Sequence, residues 1–162
     1  MSESSQIVRA LHEDHMAVLG LLSRLETACQ ASAAPGGDDG SFRSLATQFS
    51  AAVETEVRDH FDFEERDLFP PLREAGFGDF ADLLVEEHGV IWPLATQVVS
   101  KVRQGCDHGW SPEGWGTFRP LALELVERLR SHIEKEERAL AQAVVDTFEA
   151  DADMEIAMSY AS

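Results

Sequence analysis

The chain has 162 residues, 44% hydrophobic and 27% charged, enough for one domain with a proper core but not comfortably for two. Thirty acidic residues against thirteen Lys and Arg give a formal net charge of −17, and so acidic a surface repels phosphate backbones and argues against nucleic-acid binding. No apolar run nears the ~20 residues that span a bilayer, and "MSESSQIVRALHEDH" lacks the basic-then-apolar layout of a secretory leader, so a cytoplasmic, non-membrane protein is expected.

Apolar residues recur every three or four positions in four long stretches, with no strand-like alternation. The first helix is expected from about Ser5 to Ala33, with Leu11, Val18, Leu22, Leu25 and Cys29 on one stripe. "APGGDDG" breaks it, because Pro and paired Gly do not continue a helix cheaply. The second starts behind Ser41 as N-cap, carries Phe42, Leu45, Phe49, Val53, Val57 and Leu68 inward, and ends at Pro70–Pro71. The third runs from about Asp79 to Arg103, and Pro93 predicts a kink just after His88 because it cannot donate to the carbonyl of Gly89. The fourth opens with Ser111 as N-cap and Pro112 at its first position, and runs to about Glu149. "ADADMEIAMSYAS" then reads as a C-terminal tail with at most a short docked helix. The pattern predicts an all-α, up-down-up-down four-helix bundle over residues 1–149, followed by the tail 150–162.

Each apolar stripe is interrupted by residues foreign to a core: His15 in the first helix, His60 and Glu64 in the second, His88 in the third, His132 and Glu136 in the fourth. An unpaired buried carboxylate costs several kcal/mol, and no Lys or Arg shares these stripes nearby. Counting from the helix ends at 1.5 Å per residue puts the histidines about 14–15 Å from one end of the bundle, at a common level. In "HFDFEE" and "HIEKEE" a histidine precedes a glutamate by four positions, so imidazole and carboxylate lie one turn apart on the same face. One zinc uses at most four of six such groups. Two ions use all six, neutralise both carboxylates, and leave positions for a bridging oxygen and an outside ligand. Imidazole with carboxylate and no thiolate suits iron, with zinc or manganese as alternatives.

The segments "LHEDH", "HFDFEE" near "LFP", "EEH" and "HIEKEERAL" resemble those of the hemerythrin-like, or HHE cation-binding, domains, over nearly the whole chain. The resemblance implies a non-haem diiron centre, oxo- or hydroxo-bridged, held by His15, His60, Glu64, His88, His132 and Glu136. It implies binding or sensing of oxygen, nitric oxide, peroxide or iron, or support of iron-centre repair. Two departures stand out. Oxygen carriers of this kind have a second histidine four residues after the one in the third helix, where this chain has Trp92, and an aspartate five residues after the fourth-helix histidine, where Glu136 here stands at four.

Other residues take plainer readings. Glu65 and Glu137, about 100° round from the inward glutamates, are expected at the surface or, less simply, as outer supports of the ligands, and His12 is expected to be a flanking polar residue or, less simply, an extra or alternative ligand. Phe61, Phe63 and Trp92 are expected as packing, with Trp92 as a wall for the open coordination side. Cys29 and Cys106 are expected to be inert thiols at one end of the bundle, and His108 a solvated loop residue. Two other functions compete with ligand binding. A ferritin-like iron-oxidising or storage bundle would use Glu-x-x-His, which occurs nowhere in the sequence. A zinc-holding structural or interaction bundle, monomeric or homodimeric, stays open. No acid–base pair or cleft in the sequence specifies a reaction.

Overall fold

A computed structural model of the chain describes residues 5–161; residues 1–4 of the expected bundle and Ser162 of the expected tail lie outside them. Helix α1, Gln6–Cys29, starts at Ser5, whose hydroxyl accepts from the Val8 N–H at 3.1 Å. Its buried stripe is Ile7, Leu11, His15, Val18, Leu22, Leu25 and Cys29. The helix stops short of Ala33, and the next begins one turn-cap earlier than expected. Asp39, not Ser41, caps it by accepting from the Phe42 N–H at 3.0 Å, so the helix opens two residues earlier and its first orphan donors meet a carboxylate.

Helix α2 occupies residues 40–72 and contains two wider π turns, Val53–Val57 and Glu64–Leu68. It does not end at Pro70–Pro71 but passes through them to Leu72. The two residues without N–H groups stand one residue beyond the second π turn, where the bonding register has already widened and the usual proline clash with the preceding turn is relieved. The chain reverses at Gly76, whose φ of 102° is open to glycine and strained for other residues.

Helix α3, Gly78–His108, is uninterrupted, with Pro93 inside it, and extends past the expected end at Arg103. Helix α4, residues 112–147, is capped as the sequence suggests, with the Ser111 hydroxyl accepting from the Gly114 N–H at 2.9 Å and Pro112 in its first turn. It too contains a π turn, Glu136–Leu140. Extended backbone at Phe148 ends it, and helix α5, Ala150–Ala161, follows. No strand occurs among the described residues, and no helix among them is long and apolar enough to cross a membrane.

Helices α1 to α4 form the four-helix bundle, each touching the next and α4 closing back onto α1. The apolar core is split in two. One half, with Leu22, Leu25, Phe42, Val98, Trp115, Phe118 and Leu125, fills the end where α1 finishes. There the Trp110 ring lies 2.1 Å from where a Cβ on Gly105 would sit, so only glycine permits that packing. The other half, with Ile7, Leu11, Phe63, Leu68, Phe69, Leu84, Leu140 and Val144, fills the opposite end and receives Ala157 of α5. Between them lies a layer of buried polar side chains: His15, His60, Glu64, His88, His132 and Glu136.

Candidate metal centre

The polar layer assembles because each residue continues the inward stripe of its helix at the same height. All six are at most 5% exposed, and both glutamates at most 2%. The four imidazoles point their Nε2 atoms inward. Glu136 Oε1 lies 2.8 Å from His15 Nε2 and 3.1 Å from His60 Nε2, and Glu136 Oε2 lies 3.0 Å from His132 Nε2. Glu64 Oε1 is 3.0 Å from His88 Nε2 and Glu64 Oε2 is 3.2 Å from His60 Nε2. The donor atoms fall into two groups that share Glu136: Glu64, His88, His132 and Glu136, and His15, His60 and Glu136.

Several of these close approaches are not hydrogen bonds. Both oxygens of Glu64, Oε2 of Glu136 and the Nε2 atoms of His88 and His132 are buried without a hydrogen-bond partner. Buried polar atoms are satisfied in the great majority of cases, so five orphans converging on one layer mark a place built for something else. Neutral imidazole nitrogens and carboxylate oxygens are the donor set of iron, zinc and manganese, and two cations sharing Glu136 fit the two groups.

The outer nitrogens are held just as systematically. The Nδ1–H of His60 donates to Asp14 Oδ2 at 3.1 Å, that of His88 to Glu65 Oε2 at 2.6 Å, and that of His132 to Glu87 Oε1 at 2.7 Å. The fourth link is looser, with His15 Nδ1 at 3.6 Å from Glu137 Oε2. Three of the acids thus hydrogen-bond the histidine of the next helix, α1 to α2, α2 to α3 and α3 to α4, while Glu137 on α4 faces His15 on α1 without a hydrogen bond. Asp14 and Glu87 stand one residue before an inward histidine on α1 and α3, whereas Glu65 and Glu137 stand one residue after an inward glutamate on α2 and α4. One step is about 100°, and a backward step on one helix turns in the same sense about the bundle axis as a forward step on its antiparallel neighbour. All four acids therefore face the same way round. Such outer carboxylates hold the proton on Nδ1 and leave Nε2 free for a metal.

Glu65 and Glu137 were expected at the surface. They are partly exposed, at 43% and 29% of their side chains, but one oxygen of each turns inward, that of Glu65 to His88 and that of Glu137 to His15, while the other Glu137 oxygen meets the exposed His12. The sequence reading missed Asp14 and Glu87 altogether, although an acid beside each inward residue, before it on odd helices and after it on even ones, is a visible signal. His12 is exposed and pairs with Glu137, outside both donor groups. Trp92 is half-buried and faces a surface groove beside Val53 and Arg58. Phe61 takes the place expected for it: its ring stacks on His88 with centroids 3.8 Å apart, and its edge meets His132 at 5.5 Å. The reason is direction, since Phe61 lies between the inward His60 and Glu64 on the α2 stripe, while the ring of Trp92 packs outward between α2 and α3.

The electrostatics follow from the crowding of acids. Burial opposes charge on His60, but Glu64, Asp14 and Glu136 together raise its pKa well above the usual imidazole value. Burial likewise opposes His132, yet Glu136, Glu64 and Glu87 push it up to about 9. Glu136 is held well below the carboxylate range, its burial outweighed by its hydrogen-bonding neighbours. In the metal-free fold, protons on imidazole play the part of cations.

A scan of family models matches residues 6–144 to the hemerythrin HHE cation-binding domain. The chain belongs to this family. The match takes in the first three bundle helices, all but the last three residues of α4 and every residue of the inward layer, and it stops before α5. No curated protein matches the chain. As a hemerythrin-like domain, it carries a buried His/Glu cluster consistent with a non-haem diiron site. The thiols lie apart from that cluster. Cys29 and Cys106 are both unpaired, and burial pushes the Cys29 thiol up to about 11, which leaves it unreactive.

Proposed function

We propose that this hemerythrin-like chain holds two iron ions through His15, His60, Glu64, His88, His132 and Glu136 and uses them to bind a small ligand, a diatomic gas or peroxide. The observation that carries the reading is a cavity beside the layer. It offers about 20 Å³ to a water-sized sphere and touches His15, His60, His132 and Glu136, with Val18, Val57, Phe61, Leu129 and Ile133 as its apolar walls. One water needs roughly 10–15 Å³ of such space, so a diatomic or peroxide-sized guest fits and an organic substrate does not. Asp14 and Glu56 lie at its rim.

When bound, a pair of irons supplies redox-active coordination positions that the chain's own side chains lack. The residues divide the remaining work. Glu64 and Glu136 would balance the cations' charge, and Glu136 is the carboxylate common to both donor groups. The imidazoles present Nε2, kept free by the outer carboxylates. Phe61, Leu129 and Ile133 give the cavity its apolar lining. Outside the donor set and the carboxylates of Asp14 and Glu56 the cavity wall is apolar, which favours binding or sensing a small ligand over turnover of a carbon substrate. Two free thiols suit a reducing compartment, the cytoplasm.

Anaerobic loading with Fe(II), followed by metal counting and visible spectra with nitric oxide, azide and peroxide, tests the proposal. Two irons per chain and a ligand-dependent spectrum are the expected result. One tightly held zinc, with no response to any of these ligands, would overturn it in favour of a structural bundle.

A further inference from the structure

Helix α5 lies beyond residues 6–144, the span matched by the family model, yet buried polar contacts fasten it near both ends. Asp153, 6% exposed, accepts from the backbone N–H groups of Gln6 at 2.6 Å and Ile7 at 3.3 Å and from the Ser5 hydroxyl. It satisfies orphan donors at the start of α1, where a negative charge also meets the favourable end of the helix dipole. Near the other end, the ring of Tyr160 stacks on Phe63 with centroids 4.2 Å apart. Its hydroxyl donates to Asp14 Oδ2, the same oxygen that accepts from His60 Nδ1. Tyr160 is the chain's one tyrosine.

The contact has a direction. A carboxylate oxygen with two donors is fixed in place, and Asp14 in turn fixes the plane of the His60 ring, whose Nε2 faces Glu136 and Glu64. Burial and the neighbouring Asp14 push the Tyr160 hydroxyl above its usual pKa, so it stays a donor. We infer that Tyr160 is a positioning residue of the metal centre, acting through Asp14 on His60, and that α5 is a working part of the site. The inference rests on metal binding by the cluster. It has a reciprocal consequence: the factor by which a docked α5 raises metal affinity is the factor by which bound metal stabilises the docked helix.

The test uses the full chain, with Co(II) as the probe metal, and compares wild type with Y160F, which keeps the stack on Phe63 and loses only the hydroxyl. Chelator competition gives affinity, the visible cobalt spectrum reports the ligand field, and hydrogen exchange of residues 150–161 reports docking. The expected result is binding weakened a few-fold in Y160F, less than the roughly ten- to hundredfold scale of partners that touch a metal ligand directly, because Tyr160 acts one contact further out. A changed cobalt spectrum should accompany it, together with loss of the metal-induced protection of residues 150–161 seen in wild type. A purely structural tyrosine would alter stability and leave the spectrum alone. Wild-type affinity and spectrum in Y160F would overturn the inference while leaving the metal-site reading intact; failure of the wild type itself to bind Co(II) would overturn both.

Discussion

The two segments at residues 60–66 and 132–138 share a pattern, and the backbone treats them alike. In each the glutamate opens a π turn, Glu64–Leu68 and Glu136–Leu140, and lies close to the histidine one turn before it, at 3.2 Å and 3.0 Å. Their surroundings differ. Glu136 meets three imidazoles and borders the cavity, whereas Glu64 meets two and does not. The outer partner of His60 is Asp14, shared with Tyr160; that of His132 is Glu87, which Lys135 also engages at 2.9 Å. Equal local sequence produces equal local geometry, and the neighbouring helices make the two halves unequal.

The sharpest way to break that comparison is to remove each glutamate in turn. Glu136→Ala should cost about 3–5 kcal/mol in the metal-free protein, the scale of an orphaned buried ion pair, and should abolish binding of both ions. Glu64→Ala should cost less and leave one ion in the group of His15, His60 and Glu136. Thermal melts and metal counts check both, and equal losses would remove the asymmetry. Filling the cavity comes next. Val57→Phe should keep the metal, abolish azide binding, and cost about 1–3 kcal/mol from overpacking, read by titration and melting. On the His132 side, Glu87→Gln should weaken metal binding by about ten- to a hundredfold in chelator competition. Lys135→Met, which removes a contact to the far oxygen of Glu87 and one to Ser131, should weaken it less.

A pH series sharpens the contrast between metal-free and loaded protein. The His132 pKa is raised from 6.5 to about 9, so its charged form stabilises the metal-free fold fully below pH 6.5, and that stability is lost as pH rises through 9. Melting temperature should therefore fall across this interval without metal. Metal must displace the same proton, so affinity should rise with pH over that interval, and the loaded protein should not show the fall. The smallest effect belongs to His12→Ala. That exposed residue lies outside both donor groups, so melting should shift by no more than about 0.5 kcal/mol and the metal count should not change.

Much of the layer was legible from periodicity. A histidine or glutamate on an apolar stripe is inward whatever the helix packs against, so the six central residues follow from spacing alone. Asp14 and Glu87 did not, because their role depends on which helix stands beside them and in what sense the bundle turns. Glu65 and Glu137 do lie at the surface as expected, yet each also turns an oxygen toward an inward histidine, a contact that spacing on one helix does not settle. The continuation of α2 through Pro70–Pro71 also escaped, because a π turn is a property of hydrogen-bond register that residue type does not announce.

The sequence by itself determined the helices, the inward faces, the common height of the histidines and the donor chemistry, because these depend on the period of a single helix and on which side chains lie along it. Tertiary structure alone decided which carboxylate steadies which imidazole, that Phe61 and not Trp92 walls the cavity, and that Tyr160 reaches the layer from a fifth helix. These are contacts between elements distant in the chain, and they exist only once packing has chosen each helix's neighbour and its rotation about its own axis.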